Sequence, residues 1–148
     1  MAKGPLRLEE FLPFRLSYTS NLVSDRIADA YMALFGLRIP EWRVIAVVAE
    51  QDGISQLDIG ARTRMDKVTV SRAAIALSQR GLLARQPHGA DKRSHLLILS
   101  EAGRALYAEV APKALELEAQ LFAGFSQAEL DAFTATLRRI DAVVLSGT

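Results

Sequence analysis

The sequence predicts a mainly α-helical chain centred on a helix-turn-helix with a short β-hairpin beside it. Three observations carry that expectation. Apolar residues recur at steps of three and four through most of the chain. Two short strand-like runs flank one charged, turn-rich segment. The basic residues gather in the same region: residues 60–95 hold Arg62, Arg64, Lys67, Arg72, Arg80, Arg85, Lys92 and Arg93 against Asp66 and Asp91. That block carries +6 in a chain of net charge +1, so the rest is acidic. One basic block on a near-neutral chain points to an anionic partner for that block.

Each element has its own signals. Pro13 opens a first helix and Gly36 closes it. Within it Leu16, Val23, Ile27, Ala30 and Leu34 share one face. Pro40 suits the first turn of a second helix, with Trp42, Ile45, Val48 and Ala49 on its apolar side. Asp52-Gly53 reads as a turn. Ser55 begins a short third helix, with Asp58 at capping-box-like spacing. Asp66 caps a fourth helix over residues 66–80, and Gly81 ends it. Residues 82–86 and 95–99 read as strands around a long tip at 87–94. Ser100 caps a fifth helix running to Leu121, interrupted or kinked at Pro112. Ser126 with Glu129 is a capping-box pair that opens the sixth helix. Its Leu130, Phe133, Leu137, Ile140 and Val144 form a stripe too long for one small domain to cover.

The third and fourth helices with Arg62-Thr63-Arg64-Met65 between them make a helix-turn-helix. In such a unit the second helix fits the major groove and its first turns face base edges. Val70, Ala73, Ala74 and Leu77 share the face to be buried, whereas Val68, Ser71, Arg72, Ile75 and Gln79 point away. A hairpin after this unit makes a winged helix, whose tip can set an Arg in the minor groove. Asp91, two residues before Arg93, is placed to orient that guanidinium.

Composition bounds the alternatives. At 148 residues, half of them apolar, the chain is long enough for one core with helical arms, which excludes global disorder. It has no cysteine, which removes disulfide scaffolds, thiolate metal sites and thiol redox chemistry. No apolar run reaches membrane-span length, and the first ten residues carry no signal-peptide core, so the expectation is a cytoplasmic protein without a membrane partner. His88 and His95 lack further ligands for a metal, no Gly-rich phosphate loop is present, and no carboxylate pair stands beside a nucleophile. Neither metal, cofactor nor enzymatic activity is expected.

The chain resembles the MarR family of bacterial transcriptional regulators from about Leu8 to about Val144. The resemblance rests on an ordered set: Pro40-Glu41-Trp42-Arg43, Met65-Asp66-Lys67-Val68-Thr69-Val70-Ser71-Arg72, Arg80-Gly81-Leu82-Leu83, Asp91-Lys92-Arg93 and Leu99-Ser100-Glu101-Ala102-Gly103. It implies a winged-helix homodimer on double-stranded, pseudo-palindromic DNA. Residues 8–36 and 100–145 would form the helical dimerisation region and residues 40–99 the DNA-binding region of a single chain spanning 1–148. Lys67, Val68, Thr69, Ser71 and Arg72 would lie nearest the bases. Arg62 and Arg64 would touch phosphates, and Arg93 would enter the minor groove beside Lys92, supported by Asp91. The family commonly takes a small effector between the two regions. Phe14, Arg15, Tyr18, Asn21, Arg38, Trp42 and Arg43 combine aromatic and cationic groups suited to an aromatic carboxylate or an acyl-CoA. The expected function is repression relieved by such an effector. The alternative is a winged-helix module for protein contact without specific DNA binding.

Overall fold

The computed structural model describes residues 4–88 and 91–147, and the side chains of residues 87–94 lie outside that description. Among the described residues, a 3-10 turn at Leu8–Glu10 precedes six helices and one hairpin. The helices are α1 Leu12–Phe35, α2 Ile39–Glu50, α3 Gln56–Thr63, α4 Lys67–Gln79, α5 Glu101–Leu121 and α6 Gln127–Leu145. The strands are β1 Leu83–His88 and β2 Asp91–Leu99. This is the mainly helical winged-helix fold with a two-stranded antiparallel hairpin. Among the described residues no helix is long and apolar enough to cross a membrane.

Local chemistry explains the boundaries. Ser55 Oγ accepts the Asp58 N–H at 3.1 Å, and Asp66 Oδ1 accepts the Thr69 N–H at 2.8 Å. Ser126 and Glu129 form a reciprocal box: Ser126 Oγ accepts at 3.1 Å, and Glu129 Oε1 accepts at 3.0 Å. Gly36 takes the left-handed conformation at φ 62°, which stops α1 without a Cβ penalty. α5 runs through Pro112 without a break, so of the two outcomes expected there the interruption is excluded. Proline removes a single N–H, and the bonds of the flanking turns carry the helix past it.

Residues up to Val110 form one compact unit, and residues from Ala111 form a second. The first holds the core, built from α2, α3, α4, the hairpin base and Leu37 and Val110. α4 contributes Val70, Ala73, Ala74 and Leu77, the four residues its periodicity marks as buried. The hairpin pairs Leu83 with Leu99 and Arg85 with Leu97, and continues to Pro87 opposite His95 and His88 opposite Asp91, with an irregularity between Pro87 and His88. The expected long tip is therefore largely strand. Ladder pairing persists where the apolar alternation stops, because backbone hydrogen bonds between two strands do not depend on an apolar side-chain pattern. Ile54 adds a one-residue bridge to Leu97, with N–H···O distances of 3.2 and 2.8 Å.

The second unit contains the rest of α5 and all of α6. A cavity of about 600 Å³ lies between those helices, bordered by Phe122, Phe125, Leu130, Phe133 and Leu137 among others. α6 buries none of its side chains. In α1 only Tyr31 is buried, and the stripe residues Leu16 and Leu34 are exposed.

Candidate nucleic-acid interface

The turn between α3 and α4 is pinned by side chains. Thr63 Oγ1 donates to the Ile59 carbonyl at 2.7 Å and accepts the Met65 N–H at 3.3 Å. Arg64 is the only described non-glycine residue at positive φ, 61°, and caps α3 through its N–H to Gly60. Such a conformation costs an L-residue about 1–2 kcal/mol and leaves the Arg64 side chain exposed at the turn.

α4 anchors its inner face and presents its first two turns outward. Lys67, Val68 and Arg72 are exposed, and Thr69 and Ser71 are half-buried. Val68, an apolar side chain 57% exposed, stands beside these polar groups as a contact for a thymine methyl would. Neither Lys67 nor Arg72 has an ion-pair partner among the described residues. Asp66 shapes the charge here. Hydrogen bonds from the Thr69 backbone and side chain, then the Val68 N–H and the Arg72 charge, hold its carboxyl below the ordinary carboxylate range.

A carboxyl lowered in the folded state stabilises it above about pH 4, the unfolded value, and that contribution is lost as pH falls through the lowered one. Asp66→Asn keeps an accepting oxygen and removes the titration. Its thermal midpoint should therefore drop less than the parent's between roughly pH 5 and pH 2. Parallel acid profiles would show that the cap's charge adds nothing.

Not every member of the basic block is free. Arg62 Nη2 is 3.0 Å from Glu50 Oε2, an exposed pair joining α3 to α2. Arg80 donates to the Gly36 and Phe35 carbonyls at 3.1 and 3.3 Å. Arg64 and Arg85 are exposed. Asp91, Lys92 and Arg93 fall in β2, and their side chains lie outside the described residues.

The expected effector residues form two groups. Phe14 and Tyr18 have ring centroids 5.8 Å apart, and the Arg15 guanidinium sits 5.3 Å from the Tyr18 ring and donates to Thr19. Trp42 instead meets Tyr31 edge-on at 5.6 Å and stacks on Tyr107 at 6.0 Å. Asn21, Arg38 and Arg43 are exposed, and the Arg38 N–H is held by Glu41. A cavity of about 280 Å³ adjoins the second group, bordered by Val48, Ala49, Asp52, Leu99, Arg104 and Tyr107. Tyr31, Arg104 and Tyr107 were invisible as site candidates in the sequence, since only folding brings these distant positions together.

The family model described as MarR family matches residues 35–94, from the end of α1 into β2. This chain carries a MarR family domain. The matched span contains the whole helix-turn-helix and most of the hairpin. Over 124 residues the chain is 26% identical to the uncharacterized HTH-type transcriptional regulator YwoH of Bacillus subtilis (strain 168), covering 84% of this chain and 89% of that protein. A MarR/EmrR family transcriptional regulator from Acinetobacter sp. ADP1 superposes with a TM-score of 0.87 at 27% identity, covering 95% and 99% of the two chains. Bordetella bronchiseptica BpsR, whose DNA binding is regulated by 6-hydroxynicotinic acid, gives 0.84 at 28% identity, covering 93% and 98%. The relatives are transcriptional regulators, and none of these three is described as an enzyme. Within the MarR family domain, α4 is therefore the element to test first against DNA.

Proposed function

We propose that this chain is a homodimeric transcriptional repressor that binds a pseudo-palindromic duplex through α4 and the hairpin. The observation that carries this is the outward face of α4, where Lys67 and Arg72 have no ion-pair partner among the described residues and stand beside Val68, Thr69 and Ser71. Arg62 and Arg64 flank it as phosphate contacts, and Asp91, Lys92 and Arg93 serve the minor groove. The homodimer reading draws support from apolar side chains left exposed on both terminal helices: Leu12, Leu16 and Leu22 on α1, and Phe133, Val143, Val144 and Leu145 on α6.

The regulatory part of the reading is release of DNA by a small aromatic or anionic effector. Phe14, Tyr18 and Trp42 supply ring surfaces, Arg15, Arg38 and Arg43 positive charge, and Asn21 a polar amide. The relation to BpsR favours an aromatic acid first. Trp42 is the only tryptophan and reports binding by its own fluorescence.

Selection of duplex DNA from a random pool, at near-physiological salt, tests the central claim. An inverted repeat with half-site centres about 34 Å apart is expected. No enriched sequence, with residual binding abolished by modest salt, would overturn it and turn attention to protein partners.

A further inference from the structure

Arg80 belongs to the basic block by sequence, yet its guanidinium is already committed. It donates to the Gly36 carbonyl at 3.1 Å and the Phe35 carbonyl at 3.3 Å, across 44 and 45 residues of chain. Those oxygens are acceptors left over where α1 ends. The Gly36 and Leu37 N–H groups turn back to Met32 and Tyr31, and Leu37 plunges into the core. Arg80 is at the same time the C-cap of α4, its own N–H bonded to the Ala76 carbonyl at 3.2 Å. Leu82 N–H closes the helix on Leu77 at 2.9 Å. One cation thus joins the C-terminal ends of two helices, where both dipoles place partial negative charge.

We infer that Arg80 is a positioning residue that sets the angle of α4 against the end of α1, and so where Lys67, Thr69 and Arg72 are presented. This rests on the reading of α4 as the DNA-contacting helix. From Arg80 back to Lys67 is about 20 Å of helix, so a tilt of about 5° at the capped end moves the outward face by about 2 Å. A planar two-donor fork resists that tilt better than a single donor. The bonds are exposed, so they add little to global stability, and their effect lies in geometry.

The absence of cysteine makes introduced cysteines unique labelling sites. Spin labels at Asp29→Cys on α1 and Lys67→Cys on α4 give their separation without DNA, with labelled chains diluted into unlabelled ones. A single narrow distance is expected with Arg80 present. Arg80→Ala should broaden it about twofold, and Arg80→Lys, which still reaches one carbonyl, should narrow it again. Identical distributions in all three would overturn the inference.

On the selected operator, unlabelled Arg80→Ala should bind about tenfold more weakly with the parent's salt slope. It should also accept a one-base-pair insertion between half-sites almost as well as the parent spacing. A salt slope reduced by about 1 with spacing preference intact would make Arg80 a phosphate contact and overturn the positioning role. Should the parent itself enrich no sequence, the function reading falls, while the spin-label distances still decide what Arg80 does.

Discussion

Gly103→Ala should lower folding stability by about 3 kcal/mol, read as a lower midpoint in denaturant titration followed by circular dichroism. Gly103 is buried in the first turn of α5, and a Cβ there would overlap the Leu82 carbonyl oxygen and press on Leu99 Cδ2. The obstacle is backbone, so no rotamer relieves it. Leu82 is also fixed from other directions. Its carbonyl accepts the Ser100 N–H at 3.0 Å, while Ser100 Oγ donates to Gly81 at 2.6 Å and accepts the Gly103 N–H at 3.0 Å. Moving α5 away breaks this cluster and opens the contact among buried Leu82, Leu83 and Leu99. Two effects oppose each other. Helix propensity favours alanine by about 1 kcal/mol, and overpacking disfavours it by more. A midpoint equal to or above the parent's would mean that α5 withdraws without loss and that the close approach is incidental.

That cluster shows what is legible in this sequence and at what level. The run Leu99-Ser100-Glu101-Ala102-Gly103 stands out as a pattern, and Ser100 as a helix cap follows from local chemistry. The need for glycine at 103 does not, because the oxygen it avoids belongs to Leu82 and arrives through folding. The same division runs through the chain. Ser55, Asp66 and Ser126 announce helix starts because a cap and its N–H are three residues apart. The buried face of α4 is legible because its period is local. Local pattern cannot show that Arg62 is held by Glu50, that Arg80 caps α1, or that Ile54 bridges Leu97. Counting cations in residues 60–95 finds the charge but not its availability, since two of these arginines are spent on protein partners. The aromatic residues divide likewise: Tyr18 pairs one turn away with Phe14, whereas Trp42 finds Tyr31 and Tyr107 only in the fold.

Arg72→Ala should cost about 1–3 kcal/mol of operator binding, or roughly 5- to 150-fold, concentrated at one base pair. Arg72 lies in the second turn of α4, exposed and unpaired among the described residues, with Asp66 as the nearby opposite charge acting on it. A guanidinium in that state meets a guanine edge without first giving up a protein partner. The competing role is a phosphate contact, and the two separate cleanly. Loss of a base contact relaxes preference at one position and leaves the salt slope unchanged. Loss of a phosphate contact weakens all sequences alike and lowers the slope by about 1. Arg72→Lys keeps the charge and loses the two-pronged geometry, so as a base contact it should leave the preference relaxed much as Arg72→Ala does, whereas as a phosphate contact it should restore most of the affinity for all sequences. Arg62→Ala is the internal comparison. Its guanidinium must exchange Glu50 for a phosphate, so part of any gain on DNA is offset and the variant should lose less than Arg72→Ala. Unchanged operator affinity in Arg72→Ala would remove α4 from the groove, whatever the remaining basic residues do.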